Sequence, residues 1–158
     1  MTDQLTARRF IEAEPAAIFA ALCDPECHVD IDSSGMLQSA EGDHVAAVGD
    51  RFTVHMDRES KGDFPMGRYD VEVVIDRFEP DREISWWIEG TIKPPIGHTY
   101  GYLLEAGEVE GRPGTWVTSV YDWSQVGDRW RPIFPVNDES ALRATLGILD
   151  RVVRRRGQ

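Results

Sequence analysis

Apolar and polar residues alternate through the middle of this chain and recur every three or four positions at its end. Phe52, Val54 and Met56 alternate with Arg51, Thr53, His55 and Asp57, the pattern of a strand with one wet face. Tyr69, Val71, Val73 and Ile75 alternate in the same way with Asp70, Glu72 and Asp76. The turn Glu79-Pro80-Asp81-Arg82 joins this strand to Ile84, Trp86 and Ile88, which predicts a hairpin. Two further strands fit Thr99 to Glu105 and Trp116 to Ser124, separated by a Gly/Pro-rich turn from Gly107 to Gly114. Loops this short make neighbouring strands antiparallel.

Upstream, Leu5 to Ile11 reads as a first strand, and Pro15 suits the first turn of a helix. Pro15 to Leu22 is rich in helix formers and spaces Ile18, Phe19 and Leu22 to bury one face. Pro25 is expected to end that helix, leaving an irregular piece with His28, Asp30 and Asp32 before the turn Ser33-Ser34-Gly35. At the other end Asn137 or Asp138 can cap a helix in which Leu142, Leu146, Leu149 and Val153 share a face. It should run about nineteen residues, roughly 28 Å. A long helix laid on a curved antiparallel sheet is an α+β sandwich, and 158 residues suit a single domain spanning 1–158.

Composition narrows the class. At 41% hydrophobic and 28% charged the chain is that of an ordinary globular domain. Its longest apolar runs fall far short of the ~18 residues of a membrane helix. Met1 to Phe10 is too polar for the core of a leader, so a soluble, cytoplasmic protein with no membrane span is expected. The net charge of −11 repels phosphate backbones and argues against nucleic acid as a partner. Residues 151–158 nevertheless hold four arginines and no acid, a set that suits a solvated helix C-terminus. Cys23 and Cys27 are too few for a disulfide scaffold and lack zinc-knuckle spacing, so they read as small buried hydrophobes. The set His28, Asp30 and Asp32 lacks the ligand offsets of a calcium loop and reads as a solvated turn.

Several stretches, taken in order, carry a resemblance. They are Pro15-Ala-Ala-Ile-Phe-Ala-Ala-Leu22, Val48-Gly49-Asp50-Arg51-Phe52, Arg77-Phe78-Glu79-Pro80-Asp81-Arg82-Glu83-Ile84-Ser85-Trp86, Gly101-Tyr102-Leu103-Leu104-Glu105, and Val117-Thr118-Ser119-Val120-Tyr121-Asp122-Trp123-Ser124. Across nearly the whole chain they resemble the START-like (SRPBCC) superfamily, in particular its polyketide cyclase/dehydrase and lipid-transport branch. The resemblance implies a helix-grip fold: about seven curved antiparallel strands around a long C-terminal helix, with two short helices after the first strand. It also implies a deep apolar cavity between helix and sheet that takes lipids, polyketides or other hydrophobic molecules.

Strand parity sends Trp86, Ile88, Tyr100, Tyr102 and Leu104 toward the helix. It also groups Val117, Ser119, Tyr121 and Trp123 on one face of the last strand. Amphipathic rings in such a position require a partner for their polar tips. Trp86, Tyr102, Tyr121 and Trp123, the adaptable Met56, and Leu142 and Leu146 from the helix are therefore the candidate ligand-binding residues. The favoured function is binding of a hydrophobic or aromatic small molecule. One alternative is a cyclase, aromatase or dehydrase using Tyr102, Tyr121, Asp122 or His98 for proton transfer. Another is a protein-interaction module or homodimer with a vestigial cavity, suggested by Trp87, which must face away from Trp86. No catalytic triad, phosphate loop or metal motif stands out, and no catalytic residue, metal or cofactor is assigned. The segment Phe64-Pro65-Met66-Gly67 is a candidate rim for the cavity, or else ordinary core.

Overall fold

A computed structural model of the chain describes residues 3–157. Met1, Thr2 and Gln158, which belong to the leader reading and to the arginine tail, lie outside them. The strands are β1 (Gln4–Ile11), β2 (Leu37–Glu41), β3 (Arg51–Asp57), β4 (Arg68–Glu79), β5 (Glu83–Glu89), β6 (Thr99–Val109) and β7 (Arg112–Asp122). They form one curved antiparallel sheet in the order β1-β7-β6-β5-β4-β3-β2. Helices α1 (Pro15–Leu22) and α2 (Pro25–Ile31) follow β1, and α3 (Glu139–Arg156) closes the chain. This is the helix-grip arrangement.

Three local features differ from the pattern along the chain. Pro25 does not end structure; it opens α2, because Asp24 is an N-cap whose carboxylate accepts from the Glu26 amide at 3.0 Å. The stretch expected to be irregular is therefore a helix. The turn between the last two strands is far tighter than Gly107 to Gly114. It is the pair Glu110 and Gly111, both at positive φ (51° and 79°), so β6 and β7 continue to Val109 and from Arg112. Strand β2 was implied only by the expected number of strands and by no local pattern: Leu37 and Ala40 are half-buried, and the register with β3 shifts between Leu37 and Ser39.

Helix α3 runs 18 residues from an Asp138 cap that accepts from the Ala141 amide at 2.9 Å. It packs on β1, β7, α1 and α2 and buries Leu142, Leu146, Leu149 and Val153. Near its end the buried Asp150 accepts from Arg9 and Arg154, each at 2.9 Å. Arg156 donates to Asp24 at 2.8 Å, so two of the tail arginines serve the chain's own acids rather than water alone. Burial by itself would raise the Asp24 carboxyl, but the Arg156 hydrogen bond and the Glu26 amide outweigh it and hold the group below the usual carboxylate range. Among the described residues, no helix is long and apolar enough to cross a membrane.

Candidate functional site: a cavity beneath the helix

The inner faces of β3 to β6 follow the expected parity. Val54 and Val73 are buried, Met56, Val71 and Ile88 are half-buried, and Trp86 is 8% exposed. A bulge between Ile75 and Arg77 lets Phe78 turn inward as well, where it meets Phe19 edge-on at 5.2 Å. The first half of α3 does not come down onto this bowl. A cavity of about 580 Å³ remains, within the usual range for a small-molecule site of about 300–1,000 Å³.

Strands β3 to β6 supply its floor, with Ser119 of β7, and Ala141, Leu142 and Thr145 of α3 supply part of its roof. Three loops form its rim. The loop after β3 brings Phe64 and Met66, 40% and 48% exposed, so this segment borders the cavity instead of filling the core. The loop before β6 brings Ile92, Pro95 and Ile96, and the segment before α3 brings Trp130, Ile133 and Phe134. These last two loops touch closely. Gly97 sits at φ 104°, and a Cβ there would lie 2.8 Å from the Gln125 carbonyl oxygen. Arg58 braces the third loop by a forked pair to Asp63 at 2.7 and 2.8 Å. That pairing raises the guanidinium further above its usual value and lowers the Asp63 carboxyl to about 2.

The candidate residues divide. Met56, Trp86, Tyr102 and Leu142 line the cavity. Tyr121, Trp123 and Leu146 do not; they are buried in the packed core behind it. Tyr121 stands against the wall from outside, stacked on Tyr100 with centroids 4.9 Å apart and planes 7° apart. Its hydroxyl accepts from the Val136 amide at 3.1 Å. The sequence argument failed for Tyr121 because a buried tyrosine tip finds its partner in the backbone as readily as in a ligand. Asp122 is on the outward face, accepting from Gln4 and Ser124.

Most polar groups on the wall are already matched. Tyr100 accepts from the Asn137 amide at 2.9 Å, and Tyr102 stands opposite Ser119 in the β6–β7 ladder. Desolvation pushes both phenols up and Tyr121 to about 12, so all three stay protonated. His28, expected in a solvated turn, is 5% exposed and donates from Nε2 to the Leu22 carbonyl at 2.8 Å. Its ring sits edge-on to Phe52 at 4.9 Å and Trp86 at 4.6 Å, and burial lowers its pKa. Cys23 and Cys27 are buried free thiols raised by desolvation to about 11 and about 12, which makes them inert packing groups. The exception is His98. Its ring lies on the wall between Tyr100 at 5.6 Å and Phe134 at 5.2 Å, and its buried Nδ1 has no hydrogen-bond partner among the described residues. Desolvation, helped by the charge of Arg58, lowers it to about 4 and keeps the imidazole neutral.

Among the comparisons with known proteins, no family model and no curated protein matches the chain. Solved structures do. Protein Ms6760 from Mycobacterium smegmatis superposes with a TM-score of 0.65 at 18% identity, covering 98% of this chain and 93% of its own. DR_A0006 from Deinococcus radiodurans gives 0.61 at 17% identity, covering 97% and 96%. The Aha1 dimer from Colwellia psychrerythraea, a solution structure, gives 0.58 at 18% identity, covering 95% of both chains. At such identities the likeness establishes the shared fold.

Proposed function

We propose that this protein is a START-like (SRPBCC) domain that binds a hydrophobic or aromatic small molecule between its sheet and α3. The observation that carries the reading is the hollow itself: about 580 Å³, walled largely by aliphatic and aromatic side chains. Filling it with Leu or Phe would have been the cheaper way to stabilise a domain of this size, since empty apolar space forfeits dispersion contacts. A hollow of that size also speaks against a vestigial cavity. The test is native mass spectrometry and solvent extraction of the purified protein, with titration of apolar probes against the fluorescence of Trp86. Binding of an apolar compound with quenching supports the reading; failure of every apolar probe to bind removes it.

The cyclase or dehydrase alternative has one observation in its favour. His98 is a neutral imidazole on the cavity wall, a form able to accept a proton. Of its other candidate groups only Tyr102 shares the cavity, and Tyr102 is a very weak acid here. Binding is therefore the preferred reading. Homodimerisation is a separate proposal, supported by the dimeric state named for the Colwellia neighbour. Trp87, half-buried on the outer face, is cross-strand partner to the buried Val74, so much of the ring already has an intramolecular role. Sedimentation of a strict monomer would discard the dimer.

A further inference from the structure

Among the described residues five large apolar side chains stand exposed, and three of them gather at the rim of the cavity. Phe64, Met66 and Ile133 are 40%, 48% and 40% exposed and all border it, whereas Val48 and Leu103 lie away from it. The loops that carry the three are tied to their neighbours. Lys61, on the loop after β3, reaches Asn137 at 3.4 Å, and Phe134, next to Ile133, lies 5.2 Å from His98 at the end of the loop before β6. Each of the three loops also holds an exposed proline, Pro65, Pro94 and Pro132, which adds apolar surface and has no amide to leave unpaired. The loop after β3 is further suited to leaving water. The Arg58 amide donates to the Gly67 carbonyl at 3.0 Å, the Met66 amide to the Phe64 carbonyl at 2.9 Å and the Phe64 amide to the Asp63 carboxylate at 2.7 Å.

The charge of this rim departs from that of the molecule. Residues 58–67, 90–98 and 127–135 hold five Lys and Arg against three Asp and Glu, in a chain whose net charge is −11. Lys61 touches only an amide oxygen and Arg129 lies over the Trp130 ring at 4.8 Å, so neither cation is engaged by a carboxylate among the described residues. Apolar side chains set among surplus cations suit the boundary between the headgroups and acyl chains of an anionic bilayer. We propose that the protein docks rim-down on an anionic lipid surface, with Phe64, Met66 and Ile133 entering the headgroup boundary and Lys61 and Arg129 facing lipid phosphates. This goes beyond the ligand-binding reading and does not depend on what the cavity holds. A second copy meeting this one rim to rim would set the cations against their own counterparts, so charge favours lipid as the occupant.

The test is co-sedimentation of the full chain with vesicles of phosphatidylcholine alone or with about one-third phosphatidylserine. Wild type is expected to bind the anionic vesicles about tenfold more tightly than the neutral ones and to lose that preference as salt is raised. Phe64→Ser combined with Met66→Ser should weaken binding about tenfold or more, since two apolar side chains no longer leave water. Leu103→Ser, at a site 43% exposed but away from the rim, should leave it unchanged. Lys61→Glu combined with Arg129→Glu should abolish the preference for anionic vesicles. Brominated lipid should quench the fluorescence of the wild-type protein, and Trp130→Phe, on the rim, should remove that quenching. Absence of vesicle binding, or equal losses in Leu103→Ser and in the Phe64/Met66 pair, overturns the docking face. Uptake of apolar probes in free solution is measured alongside, so such a failure is told apart from a failure of the ligand-binding reading. Self-association that the Phe64/Met66 pair abolishes, without vesicle binding, overturns the proposal in favour of a second copy.

Discussion

The two halves of α3 face different interiors. From its middle to its end, Leu146, Leu149 and Val153 are 1%, 0% and 4% exposed and belong to the continuous core that includes Ala7 and Ile11 of β1, Ile18 and Leu22 of α1 and Val117 of β7. Along its first half, Ala141, Leu142 and Thr145 border open space. The apolar spacing is unbroken from one half to the other. What changes is what lies opposite: β1, β7 and the short helices come up to meet the second half, while the curving sheet falls away beneath the first. One end of the molecule is therefore close-packed, and the other is left open.

That contrast is open to direct attack. Leu149→Ala removes a side chain from close-packed surroundings and should cost about 3–5 kcal/mol in denaturant unfolding, whereas Leu142→Ala enlarges space that is already open and should cost about half as much or less. Equal losses would mean that the two ends are not distinct.

Acid should strike the open end first. His98, lowered to about 4 in the folded protein, and His28, lowered by burial, both take up protons more readily when unfolded. Their contribution is complete above the unfolded value of about 6.5 and is lost as pH falls from there toward the folded values, with a slope of up to about 1.4 kcal/mol per pH unit for each ring. His55 acts in the opposite sense. The hydrogen bonds of Asp70 and Glu41 raise it, so its help is complete below about 6.5 and fades as pH rises through its folded value. Hydrogen exchange at pH 5 should show amides of the β6 start and the 90–98 loop losing protection ahead of β1 and the end of α3. Replacing His98 by Phe should flatten the acid limb of a stability–pH curve.

Overfilling sharpens the contrast from the other side. Val117→Phe, at 0% exposure in the closed core, should destabilise by about 1–3 kcal/mol. Val73→Phe, on the cavity wall, should cost less than that while abolishing uptake of apolar probes. The smallest effect belongs to the helix start: Asp138→Ala should lose about 1 kcal/mol through the cap, read as a lowered Tm, and should loosen the cavity roof more than the packed end.

Much of the architecture was legible along the chain. The strand with Phe52, Val54 and Met56, the hairpin at Glu79–Arg82 and the capped helix from Asp138 are all set by local spacing and turn chemistry, and the structure places them accordingly. Helix α2 was expected from the resemblance but not from the residues themselves, because Pro25 was read as a stop when the Asp24 before it made it a start. The candidate site was half legible. Parity identified Met56, Trp86 and Tyr102 as inward, yet it could not separate them from Tyr121, which is equally inward and wholly packed.

The chain's own pattern determined which faces are apolar, where helices begin and which strands are neighbours, because these depend on residues a few positions apart. Where the inner face is filled and where it is left open was decided only in three dimensions. It follows from the curvature of seven strands, the bulge after Ile75 and the loops that carry Gly97 and Arg58 over the rim. Void and core can be built from the same side chains; the distance between the layers separates them, and that distance is a property of the whole sheet.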